Sequence, residues 1–498
     1  MTDSTVAPAP GVSASPLAPE WLSLPSDVNA LRGQEWARDV VRHPAGELAV
    51  DGVSVHHLAE EFGTPLFVVS EADFRARAVE FRDRFNEAFA PVCGGVDVYY
   101  AGKSFLCTEV ARWVLSEGLR LDTCSGGELL VAQRAGVPGE LLGLHGNNKS
   151  AAEIRRALQM GVGRIVADSL PEIELINTLA AEQGVRAKVM LRLTPGVHAH
   201  THEFIATAHE DQKFGLSLMA GGNNSDRNPA GQNVAEPSPA EQAVLAAHAA
   251  EHLELLGIHC HIGSNIFDAE GFALAARRLL AFSAQMRDVH GIELAEVDLG
   301  GGYGIAYTEA DTPRPTAEIA QAMAEVVASE CASLGLVPPR ISIEPGRAIV
   351  GPSTFTLYEV GTIKTIQVDL EQGHGATAPR RYVSVDGGMS DNPRQVLYEA
   401  DYSVTLANRA SHAAPVLSRV VGKHCESGDI VVRDAYLPDD VTAGDLLAVP
   451  ATGAYCWSLA SNYNYVPRPP VVAVKDGAAR IIVRGETDDD LLSRDPGA

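Results

Sequence analysis

The chain has 498 residues, of which 46% are hydrophobic and 21% charged, a composition typical of a globular protein with substantial cores. A formal net charge of −25, with no basic cluster to offset it, argues against a nucleic-acid partner. The seven scattered cysteines contain no C-x-x-C pair, and no apolar run reaches the roughly 18 residues of a membrane span. Because the N-terminal residues also lack the basic and apolar regions of a signal peptide, we expect a cytoplasmic protein without a membrane partner.

The first part of the chain precedes any regular alternation of strands and helices. Residues 1–28 are rich in Pro, Ala and Ser, which predicts a disordered extension. We expect residues 29–65 to contribute to a β domain. Within residues 45–70 the pattern indicates a strand, a small helix and another strand, and residues 73–89 have helical spacing.

From residue 96 onward, strand and helix patterns alternate eight times. Eight units over about 250 residues have the size and rhythm of a (β/α)8 barrel, so we predict an α/β TIM-type barrel over residues 66–345. An open doubly wound sheet would show the same alternation, but eight regular units favour the barrel. The predicted strands are 96–100, 119–122, 141–144, 164–167, 187–193, 256–260, 295–299 and 341–344.

Two stretches without periodicity interrupt this regular texture. Residues 220–241, rich in Gly, Asn, Pro and Ser, predict a mobile surface insertion, and residues 371–379 predict a shorter one. After residue 351 the segments become short, β-branched and separated by turn residues. We therefore predict an all-β domain, a barrel or sandwich, over residues 346–485, followed by an acidic tail over residues 486–498.

Lys103 directly follows the first predicted barrel strand, in the sequence YYAGKSF. Barrel enzymes place their chemistry at the carboxyl ends of the strands, and Gly102 leaves room beside the lysine. A lysine amine in such a place can hold a carbonyl compound covalently. An arbitrary lysine is usually a solvated surface residue, so the chemical interpretation depends on the motifs that follow the other strands.

Three further motifs follow strands six, seven and eight: HCHIGSN, DLGGGYG and EPGR. Successive glycines let backbone N–H groups approach an anion, and barrel enzymes often bind phosphate after strands seven and eight. Glu344 of EPGR is suited to pair with a pyridine nitrogen, and His261 of HCHIGSN is suited to stack on a flat ring. Together with Lys103, these features predict pyridoxal 5'-phosphate as the cofactor.

With these motifs in place, the chain resembles the alanine racemase-like, fold-type III pyridoxal phosphate enzymes and, within them, the diaminopimelate decarboxylase family. The resemblance spans roughly residues 45–485. It implies decarboxylation of meso-2,6-diaminopimelate to L-lysine and CO2, the last step of lysine biosynthesis. The motifs that carry it are YYAGKSF, HCHIGSN, DLGGGYG, EPGR, DGGMSDNPRQVLYEA, CESGD and GAYCWSLASNYN, of which the last three discriminate best.

The resemblance also implies a role for each matching residue. Lys103 would form the internal imine and Cys425 would donate a proton, with Ser125 near the cofactor. In the family, the Cys and Glu of CESGD come from the partner subunit of a head-to-tail homodimer, so the active sites are composite. The implied cofactor contacts are Lys103, Asp122, His261, Ser264, Gly300, Gly301, Gly302, Glu344, Gly346, Arg347 and Tyr455. The implied substrate contacts are Arg347, Arg394, Tyr398, Glu426 and Tyr455.

The distal end of the substrate decides between related activities. An arginine can bind a carboxylate in bidentate geometry, and Arg394 and Tyr398, four residues apart in NPRQVLY, would project together from one helical turn. Glu426 would accept hydrogen bonds from the distal ammonium group.

Other activities remain open at this point. An ornithine, arginine or carboxynorspermidine decarboxylase would leave Arg394 facing a cationic tail. An alanine racemase needs a tyrosine opposite the lysine, which CESGD does not supply. A non-catalytic homologue is disfavoured by the presence of Lys103 and Cys425.

Overall fold

The computed structural model describes residues 14–196, 212–219, 236–370 and 375–498. The chain divides into two compact units. The first, called the β unit here, comprises Met1–Ala76, Ile305–Thr312 and Ala348–Ala498, and the second, the barrel unit, comprises Arg77–Gly304 and Pro313–Arg347.

The elements follow one another along the chain in three groups. The N-terminal group is β1 (Val40–Arg42), β2 (Leu48–Val50), β3 (Val53–Ser54), α1 (Val55–Phe62), β4 (Leu66–Ser70) and α2 (Glu71–Cys93). The middle group is β5 (Val96–Ala101), α3 (Thr108–Ser116), β6 (Arg120–Thr123), α4 (Gly126–Ala135), β7 (Leu142–Leu144), α5 (Ala151–Met160), β8 (Arg164–Ala167), α6 (Leu170–Gln183), β9 (Ala187–Thr194), β10 (Leu216–Ser217), α7 (Pro239–Ala249), β11 (Leu253–His259), α8 (Glu270–His290), β12 (Glu296–Asp298), α9 (Thr316–Leu334) and β13 (Arg340–Ile343). The C-terminal group is α10 (Arg347–Val350), β14 (Thr354–Asp369), β15 (Thr377–Val385), α11 (Arg394–Tyr398), β16 (Thr405–Leu406), β17 (Pro415–Val421), β18 (Ile430–Pro438), β19 (Leu446–Val449), β20 (Val471–Lys475), β21 (Ala478–Val483) and α12 (Asp488–Leu492).

Eight parallel strands of the barrel unit form a closed (β/α)8 barrel. Strands β5 to β9, β11, β12 and β13 pair in this order, and β13 returns to pair with β5, with Ile341 opposite Val96. Strand β10 pairs with β9 and lies outside this ring. The predicted barrel and all eight predicted strands are confirmed, with strand ends that differ by no more than a few residues. The open-sheet alternative is excluded because the sheet closes.

The β unit is built on a nine-stranded sheet, which confirms that the C-terminal part is mostly β. The main strand order is β18-β17-β15-β14-β4-β20-β21; off this path, β19 pairs with β14, and β16 pairs with β19. Apolar side chains from the N-terminal group and from the C-terminal strands fill one core; they include Leu48, Leu58, Val68, Phe355, Leu446 and Val472.

Strand β4 corrects the predicted start of the barrel at residue 66. Phe67 of β4 lies opposite Thr356 of β14 and Val471 of β20, so β4 belongs to the sheet of the β unit. An apolar run of five residues fits a buried strand in either sheet, and only pairing with distant strands decides between them. The boundary between the units lies at residue 76 instead.

Three predicted irregular segments also differ from the structure in part. Of the predicted disordered extension, residues 1–13 lie outside the described residues. Further along it, the Ser15 backbone N–H donates to the Tyr436 hydroxyl at 2.9 Å and the Ser23 backbone N–H donates to the Glu309 carboxylate at 2.6 Å. Of the predicted insertion 220–241, residues 220–235 lie outside the described residues, and helix α7 already begins at Pro239. Of the stretch 371–379, residues 371–374 lie outside them, and Thr377 opens β15.

Within the described ranges, no helix combines the length and the apolar content needed to cross a membrane.

Candidate active site

A cavity of about 330 Å3 lies in the barrel unit, where the carboxyl ends of several barrel strands meet. Four predicted site residues line it: Lys103 after β5, Asp122 in β6, His261 after β11 and Glu344 after β13. The structure therefore brings together side chains that are up to 241 positions apart in the chain, as expected for the functional face of a barrel.

Lys103 occupies a short 3-10 turn, Gly102–Ser104, that directly follows β5. Its side chain is exposed and lines the cavity. Small residues surround this turn for a steric reason: a Cβ on Gly102 would lie 2.7 Å from the Asp122 carbonyl oxygen, and one on Gly346 would lie 2.9 Å from Ala101. The two glycines let the lysine turn pack closely against the neighbouring strands.

Arg164 is the centre of a buried charge network beneath this cavity. It is only 1% exposed, and its guanidinium lies 2.7 Å from Asp298 and 3.5 Å from both Asp122 and Glu344. The guanidinium carbon also lies 3.5 Å from the centre of the Tyr99 ring. Burial raises the pKa of Asp122 to about 6, although the charge of Arg164 acts in the opposite direction. One arginine thus compensates three buried carboxyl groups.

Two histidines that the sequence analysis missed contact Glu344. The Nε2 atoms of His259 and His145 lie 3.0 Å and 3.4 Å from Glu344 Oε1, and His145 Nε2 also lies 3.0 Å from Asp122. Burial lowers the pKa of His145 well below its usual range, so its ring is neutral at neutral pH. His259 ends β11, and His145 follows β7. The rule that selected Lys103, a polar side chain at the end of a barrel strand, could have found both.

Glu344 has the properties required to hold a protonated ring nitrogen. Burial alone would raise its pKa, yet the attraction of His259 lowers it below the ordinary value, so the carboxylate is ionised. Its Oε1 atom is buried and lacks an aligned hydrogen bond from any of the described residues. A buried acceptor of this kind facing a cavity fits the pyridinium nitrogen of pyridoxal phosphate.

The backbone fixes the ring of His261. The Gly301 N–H donates to His261 Nδ1 at 3.2 Å, so this nitrogen is unprotonated and the other one carries the hydrogen. Burial, followed by the positive charges of Lys103 and Arg192, lowers the pKa of His261 well below its usual range. The imidazole is therefore a neutral, oriented flat group in the cavity wall, which fits the predicted stacking role.

The glycine-rich segment after β12 packs tightly against its neighbours. Gly300 has a φ of +71°, and a Cβ there would lie 2.2 Å from the Cys260 carbonyl oxygen. Its N–H donates to Asp298 at 2.6 Å. Arg347 follows β13, the barrel strand that pairs with β12. Its guanidinium donates to the Ser264 hydroxyl at 2.8 Å. These contacts bring two predicted cofactor ligands, Ser264 and Arg347, together. The Gly300 and Gly301 amides already have partners within the protein.

The remaining predicted site residues belong to the β unit. Helix α11 confirms that Arg394 and Tyr398 share one helical turn. Cys425 and Glu426 are exposed in the loop between β17 and β18. Tyr455 adopts a left-handed backbone with φ of +66°, which is uncommon outside glycine and typical of functional segments.

Arg394 is buried among tyrosines that the sequence analysis did not select. It is 6% exposed, donates to the Tyr402 hydroxyl at 2.5 Å and lies 4.5 Å above the Tyr307 ring. Among the described residues it forms no ion pair with a carboxylate. A buried guanidinium that is held by aromatic rings and not by an ion pair with these residues is suited to bind an anionic group of a ligand.

The buried network gives a stability prediction. Replacing Arg164 with Met should leave three carboxyl groups uncompensated in the barrel and lower the free energy of unfolding by about 3–5 kcal/mol. Urea denaturation of the two proteins measures this difference. The matched control is Arg155→Met, which removes an exposed pair with Glu182 and should cost less than about 1 kcal/mol. Equal losses for the two variants would contradict the importance assigned to the buried charges.

Comparisons with known proteins agree with this geometry. The family model described as "Pyridoxal-dependent decarboxylase, pyridoxal binding domain" matches residues 75–351. Diaminopimelate decarboxylase of Mycobacterium tuberculosis strain H37Rv is 52% identical over 465 residues, covering 92% of this chain and 97% of the relative. The Corynebacterium efficiens enzyme of the same name is 48% identical, covering 99% of each chain. Among solved structures, diaminopimelate decarboxylase of M. jannaschii has a TM-score of 0.80 at 30% identity and covers 92% of this chain and 98% of its own.

Proposed function

The chain belongs to the diaminopimelate decarboxylase family of pyridoxal-dependent decarboxylases, and we propose that it converts meso-2,6-diaminopimelate to L-lysine and CO2. The observation that carries the proposal is the meeting of Lys103, His261 and Glu344 in one barrel cavity. The high identity over nearly the whole length of a named relative supports the same activity.

The cavity residues fit pyridoxal 5'-phosphate. When bound, this cofactor withdraws electrons from the carbon that loses its carboxylate. Lys103 would hold the aldehyde carbon covalently, and ionised Glu344 would keep the ring nitrogen protonated. Neutral His261 would cover the ring, and Asp122 would lie beside it. Ser264, Gly300, Gly301, Gly302, Gly346 and Arg347 would also contact the cofactor, and Tyr455 would reach its phosphate.

The substrate has a second amino acid centre that must be held while the first one reacts. Buried Arg394 would bind the distal carboxylate, and Tyr398 on the same helical turn would add a hydroxyl group. Glu426 would accept hydrogen bonds from the distal ammonium, while Arg347 and Tyr455 would also contact the substrate. The Cys425 thiol would deliver a proton to the carbon from which CO2 departs.

Ornithine, arginine and carboxynorspermidine decarboxylation are the alternatives within this fold. They would bring a cationic tail towards a buried guanidinium that forms no ion pair with a carboxylate in the part of the chain that the structure describes, which is electrostatically unfavourable. Incubating the enzyme with meso-diaminopimelate, ornithine and arginine in turn, and measuring CO2 release, tests the assignment. Faster release from ornithine or arginine than from diaminopimelate would overturn it.

We also propose a homodimer with composite active sites, in which Cys425 and Glu426 serve the site of the partner subunit. Support comes from the family resemblance and from the exposure of both side chains on one loop. The enzyme would act in the cytoplasm, where newly made lysine enters protein synthesis. Cell fractionation followed by the decarboxylase assay checks the location.

Mixing two inactive variants should restore activity. If Lys103→Ala and Cys425→Ala subunits exchange at random from equal amounts, half of the dimers are heterodimers with one intact site of two, so activity should reach about a quarter of wild type. The measurement is CO2 release before and after exchange, with exchange followed by native mass spectrometry. If exchange occurs and activity stays at the level of the single variants, each site lies within one chain.

A further inference from the structure

The loop between β17 and β18 holds Cys425 by means of a buried aspartate. Cys425 and Glu426 are exposed, whereas Asp429 at the end of the same loop is only 4% exposed. The backbone closes the loop, because the Asp429 N–H donates to the Glu426 carbonyl at 3.2 Å and the Gly422 N–H donates to the Asp429 carbonyl at 3.0 Å. The loop that carries Cys425 is thus closed at a residue, Asp429, whose side chain is buried.

The Asp429 carboxylate accepts three hydrogen bonds. Its Oδ2 accepts from the His424 backbone N–H at 2.7 Å and lies 2.9 Å from His424 Nδ1. Its Oδ1 accepts from the Met389 N–H at 2.6 Å. Hydrogen bonds to an ionised acceptor are about twice as strong as neutral ones, so this carboxylate fixes the residue directly before Cys425.

Two glycines make this close approach possible. A Cβ on Gly388, whose φ is +150°, would lie 2.4 Å from Asp429 Oδ1, and one on Gly422 would lie 2.3 Å from Asp429 Oδ2. Gly388 belongs to the discriminating motif DGGMSDNPRQVLYEA, and Gly422 lies three residues before CESGD. The close packing around Asp429 leaves no room for a side chain at either position, which explains why glycine occupies both.

Residues of the segment 463–464 add two further contacts beside Cys425. The His424 ring is stacked on Tyr463, with planes within 8° of parallel and centres 5.8 Å apart. The Cys425 N–H donates to the Asn464 side chain at 3.0 Å. The backbone N–H groups of His424 and Cys425 are therefore held by separate side chains.

The same carboxylate reaches the segment that carries Arg394. The Met389 N–H donates to the Asp429 carboxylate. Three residues later, the Asn392 N–H donates to the Gly388 carbonyl at 2.9 Å. Helix α11 begins two residues after Asn392. Asp429 therefore connects the loop of the proton donor to the loop that leads to the distal-carboxylate ligand.

We propose that Asp429, together with His424, is a positioning residue that holds the Cys425 thiol in place for proton delivery and fixes its loop against the Arg394 segment. This inference rests on the proposed function. In that reaction the C–C bond to the carboxylate breaks, CO2 departs, and the carbon keeps the electron pair. The carbon takes the proton of the Cys425 thiol, and the thiolate is then reprotonated from water. A misplaced thiol should slow this step and allow water to deliver protons from either side.

Asp429→Asn places an NH2 group against the N–H donors of His424, so the loop and the Cys425 thiol should shift. We expect kcat to fall about 10- to 100-fold, because displacing a reacting group by about 1 Å has effects of this size. KM and cofactor content should change less than about threefold. In D2O the wild type should place deuterium on one face of the carbon that lost CO2, and the variant should give a mixture, measured by NMR of the lysine formed. Reduced folding would lower activity without changing the stereochemistry of the product.

Variants of His424 distinguish its hydrogen bond to Asp429 from the packing of its ring on Tyr463. They also test the proposal if Asp429→Asn does not fold. His424→Phe keeps an aromatic ring beside Tyr463 but loses Nδ1, and should show the same loss of kcat and of stereochemical purity. His424→Asn can place an amide N–H near the former Nδ1 and should recover most of both. Asp439→Asn, a change on the other end of β18 where the side chain is 69% exposed, should match wild type.

The outcomes distinguish the two proposals. A wild type that releases no CO2 from diaminopimelate overturns the proposed function. An active wild type whose Asp429→Asn and His424→Phe variants retain kcat and single-face labelling overturns only the positioning role.

Discussion

We expect Lys103→Ala to lose the covalently held cofactor and to lower turnover by more than about 1000-fold. The structure exposes this amine into the cavity next to Glu344 and His261, and exchange of the substrate amine onto the cofactor needs it. Wild-type enzyme should be yellow, and borohydride should fix the cofactor on Lys103, as located by peptide mass mapping. The variant should show no such adduct.

Lys213 supplies a matched control, because it also lines the cavity and is exposed. Lys213→Ala should retain the reduced adduct on Lys103. An adduct found on Lys213, or on buried Lys149, would contradict the assignment of Lys103 as the attachment point. Unchanged visible absorption of Lys103→Ala with unchanged turnover would contradict it as well.

The barrel and much of the candidate site were predictable because both follow from local patterns. Buried parallel strands are continuous apolar or β-branched runs, and eight such runs separated by helical patterns leave few other folds. Chemistry-bearing side chains at strand ends then converge by topology alone. Lys103, His261 and Glu344 were found in this way, whereas Asp122 came only from the family resemblance.

The remainder depends on contacts that no local pattern encodes. Strand β4 looks like a barrel strand, and only its pairing with Val471, about 400 positions away, places it in the other sheet. Arg164 is the first residue of β8, and the sequence suggests an exposed residue at the end of a short strand. It is only 1% exposed, however. Its positive charge can be buried because the carboxyl groups of Asp122, Asp298 and Glu344 compensate it. Tyr307 comes from a short segment, Ile305–Thr312, that leaves the barrel unit for the β unit. Its contact with Arg394 therefore had no sequence signal.

The structure sharpens what Arg394→Ala should do. This guanidinium is buried, is oriented by Tyr402 and Tyr307, and has no carboxylate partner among the described residues. Loss of a charge-assisted bidentate contact in such surroundings costs about 2–4 kcal/mol, or about 30- to 1000-fold in kcat/KM for meso-diaminopimelate. The ratio of kcat/KM for diaminopimelate over ornithine should fall by a similar factor.

That ratio is the decisive measurement, because Arg394→Ala also removes a buried side chain and could lower the amount of folded enzyme. Reduced folding affects both substrates equally, whereas loss of a ligand for the distal carboxylate affects only diaminopimelate. Arg394→Lys keeps the charge without the planar fork and should fall between wild type and Ala. Tyr402→Phe removes only the hydroxyl that orients the guanidinium, and should produce a smaller shift in the same direction. If Arg394→Ala leaves the ratio unchanged while cofactor content stays at the wild-type level, Arg394 does not bind the distal carboxylate, and discrimination between the two substrates must come from other residues.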